Sequence, residues 1–183
     1  ILLINLYTSR VVLEALGVDD YGIYNLVGGV VGMFSMIGST LNAASQRFIT
    51  FALGKGDFNN LRNIFSTCVS LHIALGIILI IVLEVVGVWM LGSELNIPME
   101  RLKVAKWVFQ FSLFTFFINL ISVPYNAVII AHEKMSAFAY ISVVDAILKL
   151  GIAFLLRIGD IDKLFVYSLL HFIVAFLIRC IYT

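Results

Sequence analysis

Apolar stretches of membrane-spanning length follow one another along almost the whole chain, with only short polar connections between them. A hydrocarbon core about 30 Å thick takes roughly 20 residues of α-helix. Lipid offers no partner for exposed backbone N–H and C=O groups, so a spanning segment is either a helix or part of a closed barrel. Period-two alternation is absent, which leaves helices. The spacing predicts six of them, at about 1–17, 22–53, 63–92, 103–131, 135–157 and 162–183. The expected fold class is an all-α integral membrane protein, a six-helix transmembrane bundle.

Composition closes other routes. The 183 residues are 62% hydrophobic and 13% charged, about half the charge of a soluble domain, and six passes leave no room for a sizeable extramembrane domain. A net charge of +1 provides no basic surface for nucleic acid. Cys68 and Cys180 lie in apolar stretches without CxxC or Cys/His spacing, so no disulfide scaffold, metal site or cofactor is expected. There is no HExxH, GxSxG or Walker loop, which argues against an enzyme and an ATP-driven pump. The first residues, ILLINLYTSRVVLEALG, start inside an apolar run without the basic flank of a signal peptide, so the chain reads as a fragment.

Short connections predict antiparallel neighbours. Lys and Arg placement does not orient them: Arg47, Lys55, Arg62, Lys134 and Arg179 fall on one side, and Arg101, Lys103, Lys106, Arg157 and Lys163 on the other.

Ionisable residues inside the helices are the functional candidates, because a charge at mid-bilayer costs about 2.5–3.5 kcal/mol and needs a partner or a watery cavity. Arg10 and Glu14, and Asp145 and Lys149, are each four apart, so each couple shares a helix face and can neutralise itself. Arg47 has no opposite charge at helical spacing; it either snorkels to the interface or faces a cavity. Glu84, His72 and His171 are lone groups, the histidines expected to be neutral and hydrogen-bonded to another helix. Gly28 and Gly32 form GxxxG within a run of small residues, read as a close helix contact or, alternatively, a cavity wall. Pro124 removes a backbone hydrogen bond inside the fourth helix and is expected to make a static bend or a hinge.

Three strings, NLYTSRVVLEALGVDDYGIYNLVGGVV, ASQRFITFALGKGD and VPYNAVIIAHEKMSAFAYISVVDAILKL, resemble the amino-terminal half of bacterial polysaccharide biosynthesis proteins. These are the O-antigen or oligosaccharide-lipid flippases of the multidrug/oligosaccharidyl-lipid/polysaccharide exporter superfamily, which are MATE-like. The resemblance implies one lobe of a two-lobed transporter of twelve to fourteen helices, with the carboxy-terminal lobe absent and the amino terminus cytoplasmic. It implies a bacterial inner-membrane location and an undecaprenyl-diphosphate-linked oligosaccharide as cargo, flipped to the periplasmic leaflet for O-antigen, capsule or lipopolysaccharide assembly. Arg10 falls where related flippases carry a cavity arginine, so it is the first candidate for the diphosphate, followed by Arg47 and Lys149. Glu14 and Asp145 are expected to hold these cations or to take H⁺ or Na⁺ during the cycle.

Two other classes compete. An ion-coupled drug or metabolite antiporter of the same superfamily would want an unpaired acid, whereas here each helix-borne acid of the couples has a basic neighbour. A membrane polymerase or ligase joining carrier-linked glycans would want larger outer loops than these connections provide. A purely structural subunit would leave the charges of the first and fifth helices unexplained.

Overall fold

The computed structural model describes residues 2–93, 97–157 and 162–182, and its elements are helices: α1 (Leu2–Met33), α2 (Ser35–Gly54), α3 (Phe58–Ser93), α4 (Met99–Ala131), α5 (Met135–Leu155) and α6 (Lys163–Ile181). Residues 94–96 and 158–161, which fall in two of the expected connections, and the chain ends Ile1 and Thr183 lie outside the described residues. Among the described residues five helices are long and apolar enough to cross a membrane, the first being the 53-residue stretch Leu2–Gly54. The expected count of six is therefore not confirmed.

The difference arises at the first connection. Helices expected at about 1–17 and 22–53 leave a link between them, but Val18, Asp19 and Asp20 are helical and only Gly17 leaves the helix, at φ 81° and ψ 170°. That region is essentially open to glycine alone. Asn5 and Ser35 line one cavity, although a straight helix would hold residues this far apart at about 45 Å; the chain turns sharply at Gly17. At Phe34 the helix tightens again, with Phe34 N donating to Val31 O at 3.1 Å and Ile37 N to Phe34 O at 3.1 Å. These are the three-residue hydrogen bonds of a 3₁₀ turn.

Other boundaries move for capping reasons. Asp57 Oδ1 accepts from Asn60 N at 3.0 Å, so α3 begins at Phe58 rather than near residue 63. Pro98 precedes α4, and Glu100 places an acid in its first turn, so that helix also starts earlier than expected. Asp162 caps α6, accepting from Leu164 N at 3.2 Å.

α4 is the central helix and packs against all five others. Its Val108, Phe109, Leu113, Phe116 and Leu120 meet Val11, Val27 and Val31 of α1, Leu83 of α3, Ile152 of α5 and Val174 of α6 in one core. Pro124 is buried within α4, which continues through it to Ala131. On α3 the polarity of burial suits lipid: Ile78, Ile81 and Val85 point outward, while Leu83 is buried among helices. Close helix contact occurs on that inner face, at two glycines the sequence did not single out. A Cβ on Gly87 would sit 2.0 Å from Phe109 Cζ, and one on Gly76 would sit 2.6 Å from Phe117 Cε2. Gly28 and Gly32, the expected packing glycines, have no atom within 4 Å of such a Cβ. They border a void instead.

Candidate functional site

That void is a cavity of about 730 Å³ between α1, the start of α2, α4, α5 and α6. Its wall is built by helical periodicity. From α4 come Ser112, Thr115, Asn119, Ser122 and Asn126, spaced three and four apart, so one face of the central helix is polar while its other faces fill the core. Ser142, Asp145 and Lys149 of α5 repeat the spacing, as do Ser168 and His171 of α6. Gly28, Gly32 and Ser35 complete the opposite wall and leave it without bulk.

Lys149 Nζ donates to Asp145 Oδ2 at 2.7 Å, each side chain about one-third exposed. The couple expected from the sequence forms and lies at the middle of α5, where unpaired charge would be costly. Near it Tyr24, Tyr167 and His171 cluster, Tyr24 and Tyr167 packing edge to face with ring centroids 4.7 Å apart and Tyr167 and His171 at 5.2 Å. His171, expected as a lone histidine, belongs to this group.

The other candidates lie elsewhere. Arg10 and Glu14 also pair, at 3.2 Å, but Arg10 is 78% exposed and does not line the cavity. Glu14 is shared with Arg157, at 2.8 Å, a partner 143 residues away that no local spacing could reveal. A second ionic group lies close to the Gly17 turn: Arg101 bridges Asp162 at 2.8 Å and Asp20 at 3.3 Å. It ties the turn to the starts of α4 and α6. Arg47 lines a separate shallow recess on α2 with Gln46, Thr50 and Phe51. Glu84 accepts from Gln110 Nε2 at 2.7 Å, and His72 Nδ1 donates to Cys68 O at 2.6 Å. Among the described residues no group of three or more His, Cys, Asp or Glu could hold a metal ion.

Sequence reasoning ranked charges and overlooked the neutral wall. The signal was present in the α4 residues, whose small polar side chains recur at three and four through an apolar helix. Such groups prefer a polar cavity to lipid.

The arrangement offers a hydrogen-bonding chamber within a membrane bundle, with one cation and one anion already paired. Its hydroxyl and amide groups offer donors and acceptors to a polar ligand. No curated protein and no solved structure matches the chain. The MatE family model matches residues 2–155, well over half of the 183. The chain thus belongs to the MatE family and is a multi-pass membrane protein of exporter type.

Proposed function

We propose that the chain forms one lobe of a two-lobed, MATE-like transporter that flips an undecaprenyl-diphosphate-linked oligosaccharide across the bacterial inner membrane. In this reading Leu2–Gly54 doubles back at Gly17 and makes two passes, giving a six-helix lobe. A second lobe rocks against it in alternating access. The observation that carries the proposal is the composition of the cavity wall: serine, threonine and asparagine from α4, α5 and α6 suit the many hydroxyls of a glycan. Lys149 is the cation within the wall and meets the diphosphate there. Arg10 and Arg47, outside the wall, meet it from the side of the second lobe. Glu14 and Asp145 hold the cations in the empty state, and Asp145 accepts H⁺ or Na⁺ when Lys149 turns to cargo.

One observation favours a second reading, an ion-coupled multidrug or metabolite antiporter. Tyr24, backed by the ring of Tyr167, presents an aromatic side chain in the same chamber as Asp145, a combination that suits an amphipathic cation. The two are separated in the full-length protein by Lys149→Ala, with membrane abundance measured alongside. Loss of surface polysaccharide with unchanged drug susceptibility supports the flippase. Normal polysaccharide with altered drug susceptibility overturns it in favour of the antiporter.

A further inference from the structure

A second recess opens where α3 begins and α4 and α6 end. It encloses about 310 Å³, and its body is apolar, formed by Leu61 and Phe65 of α3 with Val128 and Ile129 of α4. Inside it the Phe65 and Tyr125 rings meet edge to face with centroids 5.2 Å apart. Two cationic or cation-forming side chains, Arg62 and His132, line the same recess, and no carboxylate does. Among the described residues Arg62 pairs with no acid. His132 Nδ1 donates to Val128 O at 2.9 Å, which leaves Nε2 for a ligand. The Arg179 guanidinium lies 3.8 Å over the Tyr125 ring and adds positive potential at the edge.

Depth gives these groups a meaning. His132 follows the last residue of α4, and Arg62 lies just inside the start of α3, so both sit where a spanning bundle meets lipid headgroups. Phe65, Val128 and Ile129 lie about one helical turn further into the bundle than Arg62 and His132. The same end carries Lys55, Arg62, Lys134 and Arg179 against Asp57 and Glu133, a net cationic surface. A basic rim above an apolar slot between membrane helices complements an anionic headgroup with an attached chain.

We propose that this recess binds an anionic phospholipid of the surrounding bilayer, with its phosphate on Arg62 and His132 and one acyl chain along Leu61, Phe65, Val128 and Ile129. The site is separate from the cargo chamber, although Tyr182 lines both and so gives a bound lipid a contact with the chamber wall.

The test uses full-length protein, delipidated in nonionic detergent and examined by native mass spectrometry with phosphatidylglycerol, phosphatidylcholine or undecaprenyl phosphate. Phosphatidylglycerol is expected to be retained at least tenfold better than phosphatidylcholine. The double variant R62A/H132A removes that preference, Arg62→Lys keeps most of it, and Val128→Trp, which fills the slot, lowers retention without altering charge. Equal retention of the two phospholipids, or a preference that survives both R62A/H132A and V128W, overturns the proposal. A preference for undecaprenyl phosphate over phosphatidylglycerol that R62A/H132A abolishes overturns it in favour of a carrier site. Retention of none of the three lipids overturns it in favour of a recess filled by the rest of the chain.

Discussion

Gly87 of α3 lies directly beneath the ring of Phe109 of α4, so close that a single added carbon would stand 2.0 Å from the ring's Cζ. Phe109 is 2% exposed and packed into the core. The contact brings two helix backbones together in the way small residues do in membrane interiors.

Gly87→Ala should therefore destabilise the protein by about 1–3 kcal/mol, the usual range for overpacking a filled core. Gly28→Ala provides the control, since its Cβ enters open cavity and stability should stay within about 0.5 kcal/mol of the parent. Melting temperature of the purified protein in detergent reads both. Equal losses would show that the α3–α4 contact is no tighter than the cavity wall.

Gly17→Ala should cost roughly 1–3 kcal/mol, because φ 81° with ψ 170° strains any residue that carries a Cβ. Membrane abundance and melting temperature are the measurements. An unchanged melting temperature would mean that the turn has an alternative backbone path.

Arg101→Ala should lower the melting temperature more than Arg10→Ala. Arg101 holds two acids, one of them, Asp20, with a side chain only 11% exposed, and its loss leaves that carboxylate without its cation. Hydrogen bonds to charged groups are worth about 1.5–3 kcal/mol. Arg10 makes one ion pair at 78% exposure, and its loss leaves Glu14 still paired with Arg157. A transport defect in Arg10→Ala at normal stability would then report on cargo.

The charge-swapped double variant, Asp145→Lys with Lys149→Asp, preserves the pair at four-residue spacing but moves the cation by one helical turn. Membrane abundance should stay normal while surface polysaccharide is lost. Normal polysaccharide would reduce the couple to mutual neutralisation.

The sequence made some of these relationships legible and hid others for physical reasons. Asp145–Lys149 and Arg10–Glu14 were readable because four residues along a helix is a contact distance. Helix ends were less so: Asn59, Asn60 and Arg62 look like loop residues, yet with Asp57 as cap they form the exposed first turns of α3. Glu14–Arg157 and the Arg101 bridge join residues far apart in sequence, which only the fold brings together. Small-residue spacing identified Gly28 and Gly32, but the spacing is the same whether a glycine seats a neighbouring helix or leaves room for a ligand. The neighbour decides, and the neighbours of Gly76 and Gly87 are the rings of Phe117 and Phe109.

The central place of α4 has a consequence for biogenesis. The first three helices leave the ribosome before the helix that α1, α2 and α3 each contact most extensively has been made. Until α4 inserts, Gly76 and Gly87 have no rings against them, and Val11, Val27 and Leu83 lack the core partners that bury them. Arrival of α4 is then the step that turns separately inserted spans into a packed bundle, and a nascent chain stalled before Met99 would be the form most exposed to membrane proteases.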